Sequence, residues 1–192
     1  MFVARSATLT CQFRTLVVLA SSAIIQEVKP IKSLLVLRHA EAVSDAPGGL
    51  DQHRQLTASG QVQARQLGEL LLQRDIKPDR IFCSTAVRAQ HTADQVAVAA
   101  RWSAAVVPVD GLYNGSVAEL MAPAFAQSRE ITQVCLVAHV PGVADLVSLL
   151  TTKHVDLAVN YGPATFAEVI LDIDDWSQIG PGTGFLHLLL AP

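Results

Sequence analysis

The sequence is short of several things, and each shortage excludes something. Its 192 residues hold three cysteines, Cys11, Cys83 and Cys135, far apart and odd in number. That pattern excludes a disulfide framework, and without a C-x-x-C pair the usual structural zinc site is also excluded. Aromatic residues are 5% and charged residues 16%, against 51% hydrophobic. A chain this apolar buries a core, so disorder does not describe the whole. Positive charge is scarce too: the formal net charge is −3, whereas a general nucleic-acid binder carries a basic excess. No apolar run reaches the roughly 20 residues that span a bilayer.

The first thirty-one residues stand apart. Arg5 and Arg14 precede any acidic residue, and residues 16–25 (LVVLASSAII) form an apolar run with small residues Ala20, Ser22 and Ala23. A cleaved export signal, an uncleaved extension and a start codon placed too early all fit this stretch. Residues 1–31 are therefore read as an extension and 32–192 as a single domain. Free thiols suit a reducing compartment, so the cytoplasm is expected, with export through residues 1–30 left open. A monomer is expected.

From Lys32 the pattern becomes regular. Residues 33–37 (SLLVL) read as a buried strand. A polar loop runs through Arg54, and Thr57 caps a helix with Ala64, Leu67, Leu70 and Leu71 on one face. Pro78 closes it. Residues 80–83 (RIFC) read as a second strand, and Ser84 or Thr85 as the cap of a second helix with Ala86, Ala89, Ala93, Val96, Ala97 and Ala100 inward. Residues 104–109 read as a third strand, 117–126 as a helix and 132–138 as a fourth strand. Pro141 opens the next helix, a position proline favours. Residues 166–173 and 185–190 read as two last strands. Alternating strands and helices predict a three-layer α/β/α domain with a mostly parallel central sheet.

Ligands of such sheets bind beyond the carboxyl ends of the strands. Arg38, His39 and Glu41 follow the first strand, Ser84 and Arg88 the second, and His139 the fourth. Two guanidinium groups match phosphate oxygens as planar donors. Helices starting at Thr85 and Pro141 would add backbone N–H donors. A neutral histidine can attack phosphorus and a second can bond a phosphate oxygen. Together they outline a metal-free phosphoryl-transfer site.

These segments resemble a known family. Arg38-His39 after an apolar strand is similar to the RHG signature of the histidine phosphatase, or phosphoglycerate mutase-like, superfamily. Ser84, Arg88, Ala89, Thr92 and Ala93 resemble its S-x-x-x-R-A-x-x-T-A segment, and His139, Pro141 and Gly142 its H-x-P-G. Asp51, Arg54, Leu56, Thr57 and Gly60 resemble the D-x-x-R-x-L-T-x-x-G stretch of SixA-type phosphohistidine phosphatases. The resemblance spans about residues 33–172 and implies a phosphoglycerate mutase-like fold. It implies His39 as nucleophile, Arg38, Arg88 and His139 as the rest of the catalytic pocket, and Arg54 near the phosphate. Ser84 is placed with the phosphate-binding residues. Asp51 either orients Arg54 or caps a turn. Glu41 is read as an exposed loop carboxylate. No cofactor and no metal are implied.

Many members use a carboxylate after the third strand as general acid. Here that stretch reads Asp110 to Ser116, with Glu119 inside the following helix, and neither acid is an obvious donor. A phosphohistidine eases the demand, because its P–N bond is labile. The short segment before the fourth strand also leaves little room for a lid. Both features favour a protein-borne phosphohistidine, such as a phosphorelay component, over a small phosphomonoester. An idle phosphoprotein binder is the alternative of another class, and the intact nucleophile and arginines argue against it. Cys83 and Arg88 are one residue too close for a cysteine-phosphatase loop. His39-Ala40-Glu41 lacks the P-C-x-x-C of zinc deaminases. His91, His154 and His187, and Trp102 and Trp176, carry no motif.

Overall fold

The computed structural model describes residues 30–151 and 161–191. The expected extension and His154 lie outside them, apart from residues 30 and 31. In chain order the elements are β1 (Lys32–Arg38), α1 (Ala58–Gln73), β2 (Arg80–Ser84), α2 (Val87–Ala99), β3 (Val106–Val109), α3 (Val117–Phe125), β4 (Gln133–Ala138), α4 (Gly142–Leu150), β5 (Phe166–Leu171) and β6 (Gly184–Leu190). The six strands form one sheet in the order β3-β2-β4-β1-β5-β6. The pairs β1–β4, β2–β4 and β2–β3 are parallel, while β5 lies antiparallel to β1 and β6 antiparallel to β5. Among the described residues no helix is long and apolar enough to cross a membrane.

Strand β1 explains the layering. Its side chains alternate faces, and both faces are covered. Leu34 and Val36 pack with residues of α3 and α4, Leu35 and Leu37 with residues of α1 and α2. A strand buried on both faces reads as an unbroken apolar run. On the outer side, Gly68 lets α1 and α2 approach closely: a Cβ there would sit 2.6 Å from the Ala99 Cβ and 2.7 Å from the Val96 carbonyl oxygen. The predicted stripe of α1 is buried at Ala64, Leu67 and Leu71, while Leu70 is 39% exposed.

Several boundaries differ from expectation. Helix α1 ends at Gln73, before Pro78, and the chain leaves it through Asp75 at φ 56°. Helix α2 starts at Val87 on Ala86, with no side-chain cap, so neither Ser84 nor Thr85 caps it. The Ser84 hydroxyl is 2.8 Å from the ring of His139. Helix α4 starts at Gly142, one residue after Pro141. The final sheet edge turns at a bulge: Glu168 faces Leu188, but Val169 faces Leu186. Leu186 therefore packs into the α3/α4 side, and Leu188 and Leu190 into the α1/α2 side.

Candidate active site

Arg38 ends β1, Ser84 ends β2 and Ala138 ends β4, so the three parallel strands deliver His39, Arg88 and His139 to one rim. Backbone bonds fix the nucleophile candidate: the His39 N–H donates to the Ala138 carbonyl and the Ala164 N–H to the His39 carbonyl. The cleft has a volume of about 510 Å³ and is lined by Arg38, His39, Asp51, Arg54, Arg88 and His139, joined by Glu41 and Tyr113.

Hydrogen bonding assigns the tautomers. His39 Nδ1 lies 2.7 Å from the Ala40 carbonyl oxygen, which can only accept, so Nδ1 carries the proton. Arg88 Nε, which can only donate, lies 3.3 Å from His39 Nε2, so Nε2 holds a lone pair. The same guanidinium faces His139: Arg88 Nη2 is 3.4 Å from Nδ1, and His139 Nε2 donates to Ser84 Oγ at 2.8 Å. The two rings are 4.9 Å apart. Burial, reinforced by the neighbouring arginines, pushes His39 down to about 4. Burial, with His39 and Arg88 beside it, pushes His139 down to about 3. Both rings are therefore neutral near pH 7.

Asp51 organises the cationic side. Its Oδ1 accepts from Arg54 Nε at 2.8 Å, and its Oδ2 accepts from Arg88 Nη2 at 2.9 Å and from the Tyr113 hydroxyl at 2.8 Å. Its backbone carbonyl accepts from Arg88 Nη1 at 2.7 Å. The Tyr113 hydroxyl first, then Arg54 and Arg88, hold the Asp51 carboxyl below the ordinary carboxylate range. Of the two readings for Asp51, orientation of arginine is what the geometry contains, and it reaches Arg88 as well as Arg54. An anionic Asp51 binds arginines; it offers phosphate oxygens no donor. Arg38 donates from Nη1 to the Tyr161 carbonyl at 2.8 Å, and its buried Nε has no hydrogen-bond partner among the described residues.

Two expectations are corrected. Ser84 is fully buried and its hydroxyl stands behind His139, accepting from the Ala86 N–H, so it supports the ring and does not line the cleft. Glu41 is no free loop carboxylate: it is half-buried, lines the cleft and accepts from the Thr57 hydroxyl at 2.8 Å. Glu119 is spent at the start of α3, where it accepts from the Ser116 N–H. Cys83 lies buried within β2, and burial pushes its thiol up to about 12. Tyr113 was missed. Its only trace in the sequence is its place in the 110–116 stretch, after the third strand.

The family model of the histidine phosphatase superfamily, branch 1, matches residues 34–152, more than half the chain. The chain belongs to the histidine phosphatase superfamily. Within it, the fold is similar to a candidate phosphohistidine phosphatase SixA from Nakamurella multipartitia, with a TM-score of 0.73 and 26% identity over 84% of this chain and 96% of that one. A candidate SixA from Agrobacterium tumefaciens gives 0.71 and 27% over 84% and 98%. The mycobacterial glucosyl-3-phosphoglycerate phosphatase, 20% identical with a TM-score of 0.60 over 82% and 98%, shares the fold. A 66-residue stretch, 34% of this chain, is 38% identical to the mitochondrial serine/threonine-protein phosphatase Pgam5 of Drosophila persimilis and spans 22% of that protein. The phosphoglycerate mutase-like fold expected from the sequence is the fold observed.

Proposed function

We propose that the chain hydrolyses phosphohistidine carried on a protein, through a covalent intermediate on His39. The observation that carries this reading is the proton inventory of the cleft. Among the described residues no hydrogen bond marks a cleft carboxylate as holding a proton for a leaving group. Asp51 is held ionised, Glu41 accepts from Thr57, and Glu119 caps α3. An alkoxide leaving from a phosphate ester needs such a donor. An imidazole whose distal nitrogen already carries a proton leaves neutral.

The steps follow from the tautomer. His39 Nε2 attacks phosphorus, the substrate's P–N bond breaks, and its electron pair returns to the departing imidazole. Arg88, Arg38 and Arg54 neutralise the oxygens, and His139 faces them from the other side of Arg88. The intermediate keeps its Nδ1 proton on the Ala40 carbonyl, so His39 is itself a neutral leaving group when water attacks. The water's proton ends on the released phosphate, and His39 returns in its starting tautomer. The likeness to SixA structures at 26% and 27% identity supports the same substrate class.

The test is phosphate release from a phosphohistidine protein beside a phosphoserine peptide and an aryl phosphate, with chelator present. His39→Ala serves as the blank. Release from phosphohistidine alone, absent in His39→Ala together with the phosphoenzyme, is expected. Faster release from the esters overturns the substrate assignment in favour of a small phosphomonoester, and wild-type turnover in His39→Ala overturns the nucleophile.

A further inference from the structure

We propose that Tyr113 is a positioning residue of the cleft, setting Arg88 through Asp51 and His139 through its ring. The proposal rests on the reading that the cleft takes a phosphoryl group. Tyr113 lies between β3 and α3, and Asp51 in the long connection between β1 and α1; their contact joins residues 62 apart. The Tyr113 hydroxyl and Arg88 Nη2 meet the same oxygen, Asp51 Oδ2, at 2.8 and 2.9 Å. The Asp51 side chain is 48% exposed, so packing does little to orient it. Its direction comes from hydrogen bonds, and the phenol is the neutral one among Arg54, Arg88 and Tyr113. The ring of Tyr113 meets that of His139 edge-on, with centroids 5.6 Å apart at 84°. His139 Nδ1 faces Arg88 Nη2. One tyrosine thus touches two of the groups that hold a single guanidinium. Networks of this kind act as a unit, so removing one member weakens the others.

The test is a double-mutant cycle of Tyr113→Phe and Asp51→Asn, read by calorimetric binding of inorganic phosphate and by kcat and KM on the phosphohistidine protein. Tyr113→Phe keeps the ring and is expected to weaken phosphate binding and lower kcat by roughly three- to tenfold, while adding less than about twofold in the Asp51→Asn background. Tyr113→Ala is expected to lose more and to shift the His139 ring resonances. Effects that add independently, or a Tyr113→Phe protein within about twofold of wild type in both readouts, overturn the proposal. Phosphate binding by a wild-type protein that hydrolyses none of the substrates overturns the function while the cycle still decides on Tyr113.

Discussion

Strands β1, β2 and β4 run in one direction and end together, each followed by a group that faces the cleft. Strand β5 runs the other way and brings its beginning to the same rim. What arrives there is mostly backbone: the Thr165 carbonyl accepts from the Arg38 N–H, and the Tyr161 carbonyl takes the Arg38 guanidinium. The parallel part of the sheet supplies chemistry, and the antiparallel part supplies a frame that holds the first strand's end in place. Trp176, on the β5–β6 connection, shows the contrast. It is fully buried, donates its indole N–H to the Ile131 carbonyl, and lies 5.4 Å from the Lys32 ammonium. Lys32 begins β1, about 20 Å of strand away from Arg38.

That contrast can be broken by experiment. Trp176→Ala is expected to cost about 3–5 kcal/mol of stability through the cavity it leaves, measured by urea unfolding, with kcat unchanged where the protein remains folded. A drop in kcat would show that the frame reaches the chemistry. Arg88→Lys is expected to lower kcat by about 10²–10³, because a point charge replaces a fork that meets His39, His139 and Asp51 together. Its stability loss should be well below that of Trp176→Ala, and the reverse ranking would make Arg88 structural. The smallest effect is expected from acid. With His39 pushed down to about 4, its NMR signals should move little between pH 7 and 5, whereas an ordinary imidazole would titrate near 6.5. A depressed pKa means the unfolded chain binds the proton first, so this contribution is full above about 6.5 and is lost as pH falls towards 4. Titration near 6.5 would remove burial as the cause.

Much of this was legible beforehand because it is local. Continuous apolar runs mark strands buried on both faces, and the residues directly after them mark the rim. Thr57 caps α1 as read, accepting from the Gly60 N–H at 2.9 Å. Gly60 in turn has no space for a side chain, since a Cβ would lie 2.0 Å from the Glu41 carbonyl oxygen. The misreadings share a cause: each depends on a partner distant in sequence. Ser84 resembles a helix cap until His139 is seen beside it. Glu41 resembles a surface acid until Thr57 is folded against it. Tyr113 has no local signature beyond its place after the third strand, and the direction of β5 is not written in a six-residue strand segment.

The bulge in the last strand pair has a consequence for how the molecule opens. Because β6 sends Leu186 to one side of the sheet and Leu188 and Leu190 to the other, it is a seam common to both hydrophobic layers. Lifting that edge wets both layers at once. Neither layer then has an independent opening reaction on this side, so amide protons of β5 should exchange with solvent through one shared event rather than layer by layer.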